Sequence, residues 1–355
     1  MRISRIQIEN FRNFRRVDFA VGEHLVIVGE NKAGKSNLLM ALRLILDPAL
    51  PDTARTLRLD DFWDGLPRPL QRHDRVRVSI DFADFQGERA CEALLMDHLV
   101  DPAELISRIT YEFGPREDLV GEPASEVDYE FIIYGGDEDA RLPVSPRVRQ
   151  RLPLIVFPAL RDVEDILASW RRSPLRPLLN EAATVIGRDT LVELAEEYRE
   201  LAAKLAGTPE IAQIGSSINQ RLLAMVGGSH AFPISLGFTS TDPDRLIRAV
   251  RLLIDDKERG VGEASLGSAN LLFLTLKQLE LEHSIRKKTQ DHTFLAIEEP
   301  EAHLHPHVQR LLYRSLLQPR AHLPGQAPAE VAEEASPTER TFLLTTHSPH
   351  VVSVS

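Results

Sequence analysis

The amino-terminal section alternates apolar and polar residues, which is the pattern of strands with one buried face. Residues 2–28 predict a strand pair followed by the short apolar run Leu25–Val28, which ends at a glycine. Such a run is typical of a buried parallel strand. Residues 36–46 then predict a helix, so the chain begins with a strand–turn–helix unit.

Strands also dominate the next section, where alternation recurs at 76–82, 109–113 and 129–134. Residues 88–100 interrupt them as a predicted helix, and residues 152–157 predict another apolar strand.

Two amphipathic helices follow after about residue 161. Apolar residues between Leu191 and Leu205 recur at spacings of three and four, with Asp189 or Thr190 as the expected cap. A second helix opens at 208–210 and is expected to end at 227–228. This helical hairpin either packs on its own domain or serves as a dimerisation arm, and periodicity leaves both open.

The remaining chain returns to mixed structure. The pattern predicts strands at 246–254, 293–297 and 341–344, a helix at 266–283, and a flexible surface loop rich in Ala, Pro and Glu at 321–340. Strands and helices together predict the α/β class.

Composition narrows the class of protein. The 355 residues are 43% hydrophobic and 27% charged, which indicates a globular chain with a substantial core. One cysteine, Cys91, excludes an internal disulfide and suits a reducing cytosol. The beginning of the chain does not resemble a signal peptide, and no run approaches a membrane-spanning length. The net charge of −11 argues against a chain that coats nucleic acid unaided.

The strongest chemical signal is the segment Gly29–Ser36, which matches the P-loop pattern between a predicted strand and a predicted helix. Its glycines let backbone N–H groups turn towards phosphate oxygens at a helix amino terminus. We expect Lys35 to contact the β- and γ-phosphates of ATP and Ser36 to bind Mg²⁺. The predicted nucleotide contacts in and after this loop are Gly29, Asn31, Gly34, Lys35, Ser36 and Asn37.

A second signal is the acidic pair Glu298–Glu299 at the end of an apolar strand. We expect Glu298 to help hold Mg²⁺ and Glu299 to polarise the attacking water. Such a pair is weak by itself, and it gains value from its place downstream of a P-loop.

Two further segments complete the candidate site. Ser265 and Gly267 follow the core of the signature motif by which one ATPase subunit contacts the γ-phosphate held by another, although Ser265 would also serve as an ordinary helix cap. His347 directly follows the last strand, where it is placed to hydrogen-bond the γ-phosphate.

The segment 300–307 contains three histidines, which invites a metal site. Pro306 interrupts the local geometry, and no carboxylate or thiol completes a ligand set at helical spacing. We interpret this segment as a loop at a dimer interface, with Glu301 and His303 reporting on the opposite nucleotide.

These motifs in this order resemble ABC-type ATPases of the SMC, RecF and double-strand-break-repair group. The opening segment 6–14 also resembles that group and not the transporter ATPases. The segments 158–162, 298–306 and 345–350 narrow the resemblance to the ATPase half of the OLD (overcoming lysogenisation defect) nuclease family. The resemblance covers essentially the whole chain and is sharpest at 1–46 and 290–351.

The resemblance implies an ABC-type P-loop fold: an amino-terminal antiparallel β subdomain, a mixed or parallel core sheet flanked by helices, and an inserted helical dimerisation segment. The implied domains are the first ATPase part at 1–160, the helical segment at 161–228 and the second ATPase part at 229–355. It implies ATP and Mg²⁺ as cofactors and places Asn10 and Arg12 near the nucleotide.

The implied partners are a second copy of the chain, a carboxyl-terminal TOPRIM nuclease domain in the full-length protein, and DNA through that protein. No TOPRIM carboxylate cluster is present here, so the family's nuclease activity is not carried over to any residue, and we expect an excised ATPase domain. A nuclease on another polypeptide is the alternative.

The sequence departs from the ABC pattern at Glu298, where an aspartate is usual, and neither Gln86 nor Gln150 is a convincing Q-loop residue. Three functions compete: an ATP-driven dimerisation switch controlling a nuclease in phage defence or DNA repair, a RecF- or SMC-like DNA clamp without nuclease, and a transporter ATPase subunit. The motifs favour the first.

Overall fold

The computed structural model describes residues 1–30, 32–157, 163–171, 173–226, 242–254, 259–287, 289–302, 304–317 and 340–348. The strands are β1 (Arg2–Phe11), β2 (Phe14–Ala20), β3 (Leu25–Val28), β4 (Val76–Ala83), β5 (Leu99–Asp101), β6 (Ile106–Pro115), β7 (Tyr129–Gly135), β8 (Leu142–Pro143), β9 (Leu154–Phe157), β10 (Leu253–Ile254), β11 (Arg259–Gly260), β12 (Thr293–Glu298) and β13 (Arg340–Thr346).

The helices are α1 (Lys35–Leu46), α2 (Asp52–Arg55), α3 (Arg89–Leu95), α4 (Arg147–Arg151), α5 (Val163–Ala168), α6 (Leu175–Ile186), α7 (Arg188–Ala206), α8 (Pro209–Val226), α9 (Pro243–Ala249), α10 (Leu266–Arg286) and α11 (Pro306–Leu317). Two compact units result, one from Met1–Arg161 with Leu281–Ser355 and the other from Asp162–Glu280.

The first unit contains an antiparallel sheet with strand order β2-β1-β4-β6-β7-β8, on which β5 pairs with β6. The register sets Ile6 opposite Ile80, and Ile80 opposite Ile109, and all three side chains are fully buried. Because side chains alternate along a strand, the neighbouring positions form the opposite, polar face. Helix α1 packs against β4 and β6.

The same unit contains a parallel sheet with strand order β3-β13-β12-β9. Its strands are apolar runs, as expected for a sheet covered on both faces, and Phe294, Ala296 and Leu343 are fully buried. Parallel pairing brings the carboxyl ends of β3, β13 and β12 to one edge, since Thr346 pairs with Val28 and Glu298 pairs with Thr345. The predicted α/β fold, with an antiparallel amino-terminal sheet, a parallel core sheet and an inserted helical segment, is confirmed.

The second unit is mainly helical. Helices α7 and α8 correspond to the two helices of the predicted hairpin. The expected cap at Asp189 or Thr190 is wrong, because α7 already begins at Arg188, after Gly187 in the left-handed region at φ 89°. The apolar residues of α7 also divide between buried and exposed positions: Ala195 and Ala202 are buried, whereas Leu201 is 64% exposed.

The strand predicted at 246–254 is largely wrong. Helix α9 occupies Pro243–Ala249, and only Leu253–Ile254 is extended. A local cap explains the difference: the Asp242 carboxylate accepts a hydrogen bond from the Asp244 backbone N–H, with Pro243 in the first turn. Apolar residues alone did not reveal this helix start.

Three predicted features include residues that the structure does not describe. Residues 321–339 of the surface loop predicted at 321–340, the segment 158–162 and the helix end at 227–228 lie outside the described residues, and Arg340 already begins β13. Among the helices that the structure describes, none has the length and apolar character needed to cross a membrane.

Candidate functional site

The P-loop occupies the turn between β3 and α1. The Gly29 N–H donates to the Thr346 carbonyl at 3.3 Å, which ties the loop to the end of the neighbouring strand. Gly34 has φ 102°, and a Cβ there would overlap the Asn13 side-chain amide and approach Phe14 to 3.0 Å. The loop therefore needs glycine at position 34 for its backbone conformation and for its close approach to the β1–β2 turn. Asn31 lies outside the described residues.

Lys35 is the first residue of α1, and its side chain is bound to the P-loop that precedes it. Its ammonium group donates to the Gly29 carbonyl at 2.8 Å and to the Glu30 carbonyl at 3.0 Å. The same nitrogen lies 3.0 Å from His347 Nε2. Residues 312 positions apart thus meet at the shared edge of the parallel sheet.

Glu299 joins this cluster through an unusual backbone conformation. Directly after β12 its φ is 48°, in the left-handed region that non-glycine residues seldom adopt. Its N–H donates to the Thr345 carbonyl at 2.8 Å, and its Oε1 lies 2.8 Å from His347 Nε2. Both side chains are about one-third exposed, at 35% for Glu299 and 31% for His347. Strained backbone at such a position is typical of functional sites.

The chemistry of this cluster follows from Nε2 of His347, which lies within hydrogen-bond distance of both Lys35 and Glu299. Nε2 either donates a hydrogen bond to the Glu299 carboxylate or accepts one from the Lys35 ammonium. His347 thus links Glu299, the candidate base after β12, to Lys35, the predicted phosphate-binding cation after β3. The structure brings the predicted catalytic residues Lys35, Glu299 and His347 together.

The two residues predicted to bind metal also meet. Ser36 Oγ donates to Glu298 Oε2 at 3.5 Å. Octahedral Mg²⁺ with Mg–O distances of about 2.0–2.1 Å places adjacent ligands roughly 3 Å apart, so a small adjustment fits both oxygens to one ion. Among the described residues no group of three or more His, Cys, Asp or Glu could form a metal site made of protein ligands alone. One hydroxyl and one carboxylate fit a nucleotide-bound Mg²⁺, which keeps waters and phosphate oxygens.

Asn37 has partners within the protein. Its Oδ1 accepts from the Arg12 guanidinium at 2.9 Å, and its Nδ2 donates to Asn13 Oδ1 at 2.7 Å. Arg12 also pairs with Asp61 at 2.8 Å. Arg12 therefore lies beside the first turn of α1, whereas the Asn10 amide donates to the Arg75 carbonyl at 3.0 Å. Nucleotide contacts by Asn10, Arg12 and Asn37 remain predictions.

The candidate signature residues belong to the second unit. Ser265 precedes α10, and its Oγ accepts from the Ser268 N–H at 3.2 Å. This is an ordinary helix cap, the simpler of the two interpretations of the motif. Ser265 is exposed and Gly267 is buried, and their contact with a nucleotide remains a prediction.

Glu301 has a different place from the one expected. It is buried, with 9% of its surface exposed, and its Oε1 accepts the backbone N–H of His347 at 2.9 Å. The expectation that it faces an opposite nucleotide is wrong in this structure, because both carboxylate oxygens bind groups of its own chain. His303, expected to act with it, lies outside the described residues. Sequence reasoning missed this inward orientation. The interface interpretation rested on the position of Glu301 in the loop directly after the acidic pair.

A glycine-bearing loop between a parallel strand and a helix, with a carboxylate pair and a histidine at the adjacent strand ends, defines a P-loop nucleotide-binding domain. The chain belongs to the AAA ATPase domain family, whose model matches residues 1–134 and 161–352.

Individual relatives support the resemblance to the OLD family. The OLD nuclease of Thermus scotoductus is 26% identical over 99% of this chain and 60% of its own length. The Old nuclease of Escherichia phage P2 is 21% identical over 89% of this chain and 54% of its own length. The chain therefore spans less than two thirds of either nuclease. The DNA replication and repair protein RecF of an Anaeromyxobacter species is 25% identical over 92% of this chain and 91% of its own length.

Proposed function

We propose that this chain is an Mg²⁺-dependent ATP-hydrolysing domain of the ABC type that works as a dimer and regulates a TOPRIM nuclease acting on DNA, in phage defence or DNA repair. The observation that carries the ATPase proposal is the cluster in which His347 Nε2 lies between Lys35 Nζ at 3.0 Å and Glu299 Oε1 at 2.8 Å. The nuclease proposal rests on the similarity to the two OLD nucleases.

The residues of the chain divide the chemistry among them. The P-loop N–H groups and Lys35 hold the phosphates, with Lys35 leaving the Gly29 and Glu30 carbonyls to do so. Glu299 orients the attacking water and accepts its proton, and His347 donates towards the γ-phosphate. Bound Mg²⁺, held by Ser36 and Glu298, supplies positive charge that neutralises the phosphate oxygens.

The test of the ATPase is Glu299→Gln, which keeps the shape of the side chain and removes its basicity. We expect hydrolysis to fall by about 10²-fold or more while ATP stays bound, measured by phosphate release and by retention of radiolabelled ATP. Hydrolysis at the wild-type rate would show that Glu299 is not the base.

Dimerisation is supported by apolar side chains on α7 and α8 that the second unit leaves exposed. Leu201 is 64% exposed, Ile214 is 54% exposed and Met225 is 82% exposed. Isolated exposed apolar residues are common, but three on adjoining helices of one segment fit an interface. We propose a second copy as the occupant, with ATP closing the P-loop and signature faces on each other.

Particle mass in solution, with and without Mg-ATP, tests this arrangement for the wild type and Glu299→Gln. A constant dimer places the interface on the helical segment, and a dimer formed only with ATP places it at the nucleotide. A monomer under all conditions would refute the composite site.

A RecF-like DNA clamp without nuclease is the second candidate. The similarity to RecF over 91% of that protein's length favours it. DNA binding by this chain alone, weakening steeply with salt, would support the clamp. Absence of such binding would leave the nuclease-regulating domain as the better proposal.

A further inference from the structure

Glu301 accepts hydrogen bonds from four donors, which is a large number for one buried side chain. The backbone N–H groups of His347 and Ser348 donate to Oε1 at 2.9 and 3.3 Å. The Thr346 hydroxyl donates to the same oxygen. The Tyr313 hydroxyl donates to Oε2 at 2.6 Å.

These donors come from the end of β13 with the turn after it, and from helix α11. Tyr313, on α11, is fully buried and also lies 2.9 Å from the Thr346 hydroxyl. Burial and the neighbouring Glu301 carboxylate raise the pKa of Tyr313, so its hydroxyl stays protonated and remains a donor. The carboxylate therefore connects the loop after the acidic pair, helix α11 and the turn that carries His347.

A second set of contacts closes the same connection. Gln309, also on α11, donates to the Leu304 carbonyl at 2.9 Å, and its Oε1 accepts from the Ser348 hydroxyl at 2.9 Å. The turn after β13 is thus fixed from two points of one helix. His347 itself uses its backbone for Glu301 and its ring for Lys35 and Glu299.

We propose that Glu301 is a positioning residue for the proposed ATPase: its buried carboxylate holds the turn at residues 346–348 so that the His347 ring reaches both Glu299 and Lys35. The hydrogen bonds of the Glu301 side chain among the described residues go to Tyr313 and to residues 346–348, and not to the P-loop, so we infer that it acts through His347. The proposal rests on the proposed function, in which His347 contacts the γ-phosphate.

The variant that tests this is Glu301→Gln. Glutamine has nearly the same shape, but one amide oxygen replaces two carboxylate oxygens, and its NH₂ group opposes donors that now point at it. Displacement of a catalytic group by about 1 Å can cost about 10²-fold in rate. We expect kcat for ATP to fall by about tenfold to hundredfold with a change in KM of less than about threefold, because the P-loop is not touched. Tyr313→Phe, which removes one donor and keeps the ring, is expected to give a smaller loss in kcat.

Glu112→Gln is the matched control. Glu112 is also buried in the same unit and accepts hydrogen bonds from arginines and from a tyrosine hydroxyl, but it belongs to the antiparallel sheet. Its variant should lower thermal stability while leaving kcat unchanged. A loss of kcat in Glu112→Gln equal to that in Glu301→Gln would show a general effect of destabilisation and overturn the proposal.

A double-mutant cycle with His347→Ala separates positioning from an independent effect. If Glu301 acts through His347, the Glu301→Gln substitution has little further effect on kcat once His347 is removed. Fully additive losses would overturn the proposal.

Histidine NMR provides a readout that does not require hydrolysis. With ring-labelled histidine, the His347 signal is assigned by its disappearance in His347→Ala. We expect Glu301→Gln to shift that signal and Glu112→Gln to leave it in place. An unshifted His347 signal in Glu301→Gln would overturn the positioning role, even if the protein has no ATPase activity. A shifted signal in a protein whose wild type does not hydrolyse ATP would refute the proposed function, while the structural link between Glu301 and His347 would stand.

Discussion

The two sheets of the first unit use the same charged residue types in different ways. On the antiparallel sheet Glu112 is almost completely buried and is paired with Arg75, Arg77 and Arg141. At the edge of the parallel sheet Glu299 is one-third exposed and is paired with the His347 ring. The first carboxylate is surrounded by opposite charges, whereas the second is left accessible to water.

This difference indicates which charges are structural and which are available for chemistry. Asp81 and Arg108 form a two-point ion pair at 2.6 and 2.8 Å on the antiparallel sheet, with both oxygens of the carboxylate in use. Such groups neutralise one another across strands. Strand ends of the parallel sheet instead converge at one edge, where side chains project into a shared space that a ligand can enter. Glu301 lies between these cases. Both of its carboxylate oxygens accept hydrogen bonds from its own chain, and we propose that it positions His347.

The largest expected effect comes from Lys35→Ala at the parallel sheet. Removal of this cation should reduce ATP affinity by about 10²-fold or more. We expect little loss of stability, because Lys35 is only partly buried and its contacts are two loop carbonyls and the His347 ring. A fluorescent ATP analogue measures affinity, and thermal unfolding measures stability. Undiminished ATP binding would contradict the assignment of the P-loop.

The opposite outcome is expected for Glu112→Ala at the antiparallel sheet. This change leaves three arginines without their central carboxylate, and loss of one member of a buried charge cluster costs about 3–5 kcal/mol. Because these arginines are 25–33% exposed, water reduces the expected loss to about 1–3 kcal/mol. Urea unfolding measures the free energy of unfolding. An activity loss in folded protein would remove the distinction between the two sheets.

Gly34→Ala tests the loop that borders both sheets. A methyl group at φ 102° is strained and overlaps Asn13 of the β1–β2 turn, so we expect a loss of about 1–2 kcal/mol together with weaker ATP binding. Adding Asn13→Ala removes the overlap but keeps the backbone strain. Recovery of ATP affinity in the double variant would identify the overlap as the main cause.

The smallest effect is the pH response of His98, which directly precedes β5 of the antiparallel sheet. Burial lowers the pKa of His98, and its Nδ1 has no hydrogen-bond partner among the described residues. The unfolded chain therefore binds the proton first. Stability should be complete above about pH 6.5 and should fall as the pH drops from there towards the lowered pKa of the folded protein.

His98→Gln should flatten this part of the curve of unfolding free energy against pH. The control is His73→Gln, since His73 is 78% exposed. Identical slopes for the wild type and His98→Gln between pH 5 and pH 7 would contradict the prediction.

Local patterns determined much of the fold. The strand–loop–helix unit around Gly29–Ser36 and the strand that delivers Glu298 were predictable because period-two alternation, apolar runs and glycine position act over a few residues. The failure at α9 has the same origin, since one cap at Asp242 outweighed an apolar run. The domain boundaries at 160 and 228 remain predictions beside the compact units that the structure shows.

Amino-acid order by itself identified the candidate residues for chemistry: the P-loop glycines, Lys35, Ser36, the acidic pair and His347. Only the tertiary structure decided which of these meet and what holds them. Parallel pairing of β3, β13 and β12 joins Lys35 to His347 across 312 positions, and a left-handed backbone turns Glu299 towards the histidine. Burial against Tyr313 turns Glu301 inward. Side-chain direction and long-range pairing depend on packing between distant segments, and no local pattern encodes that packing.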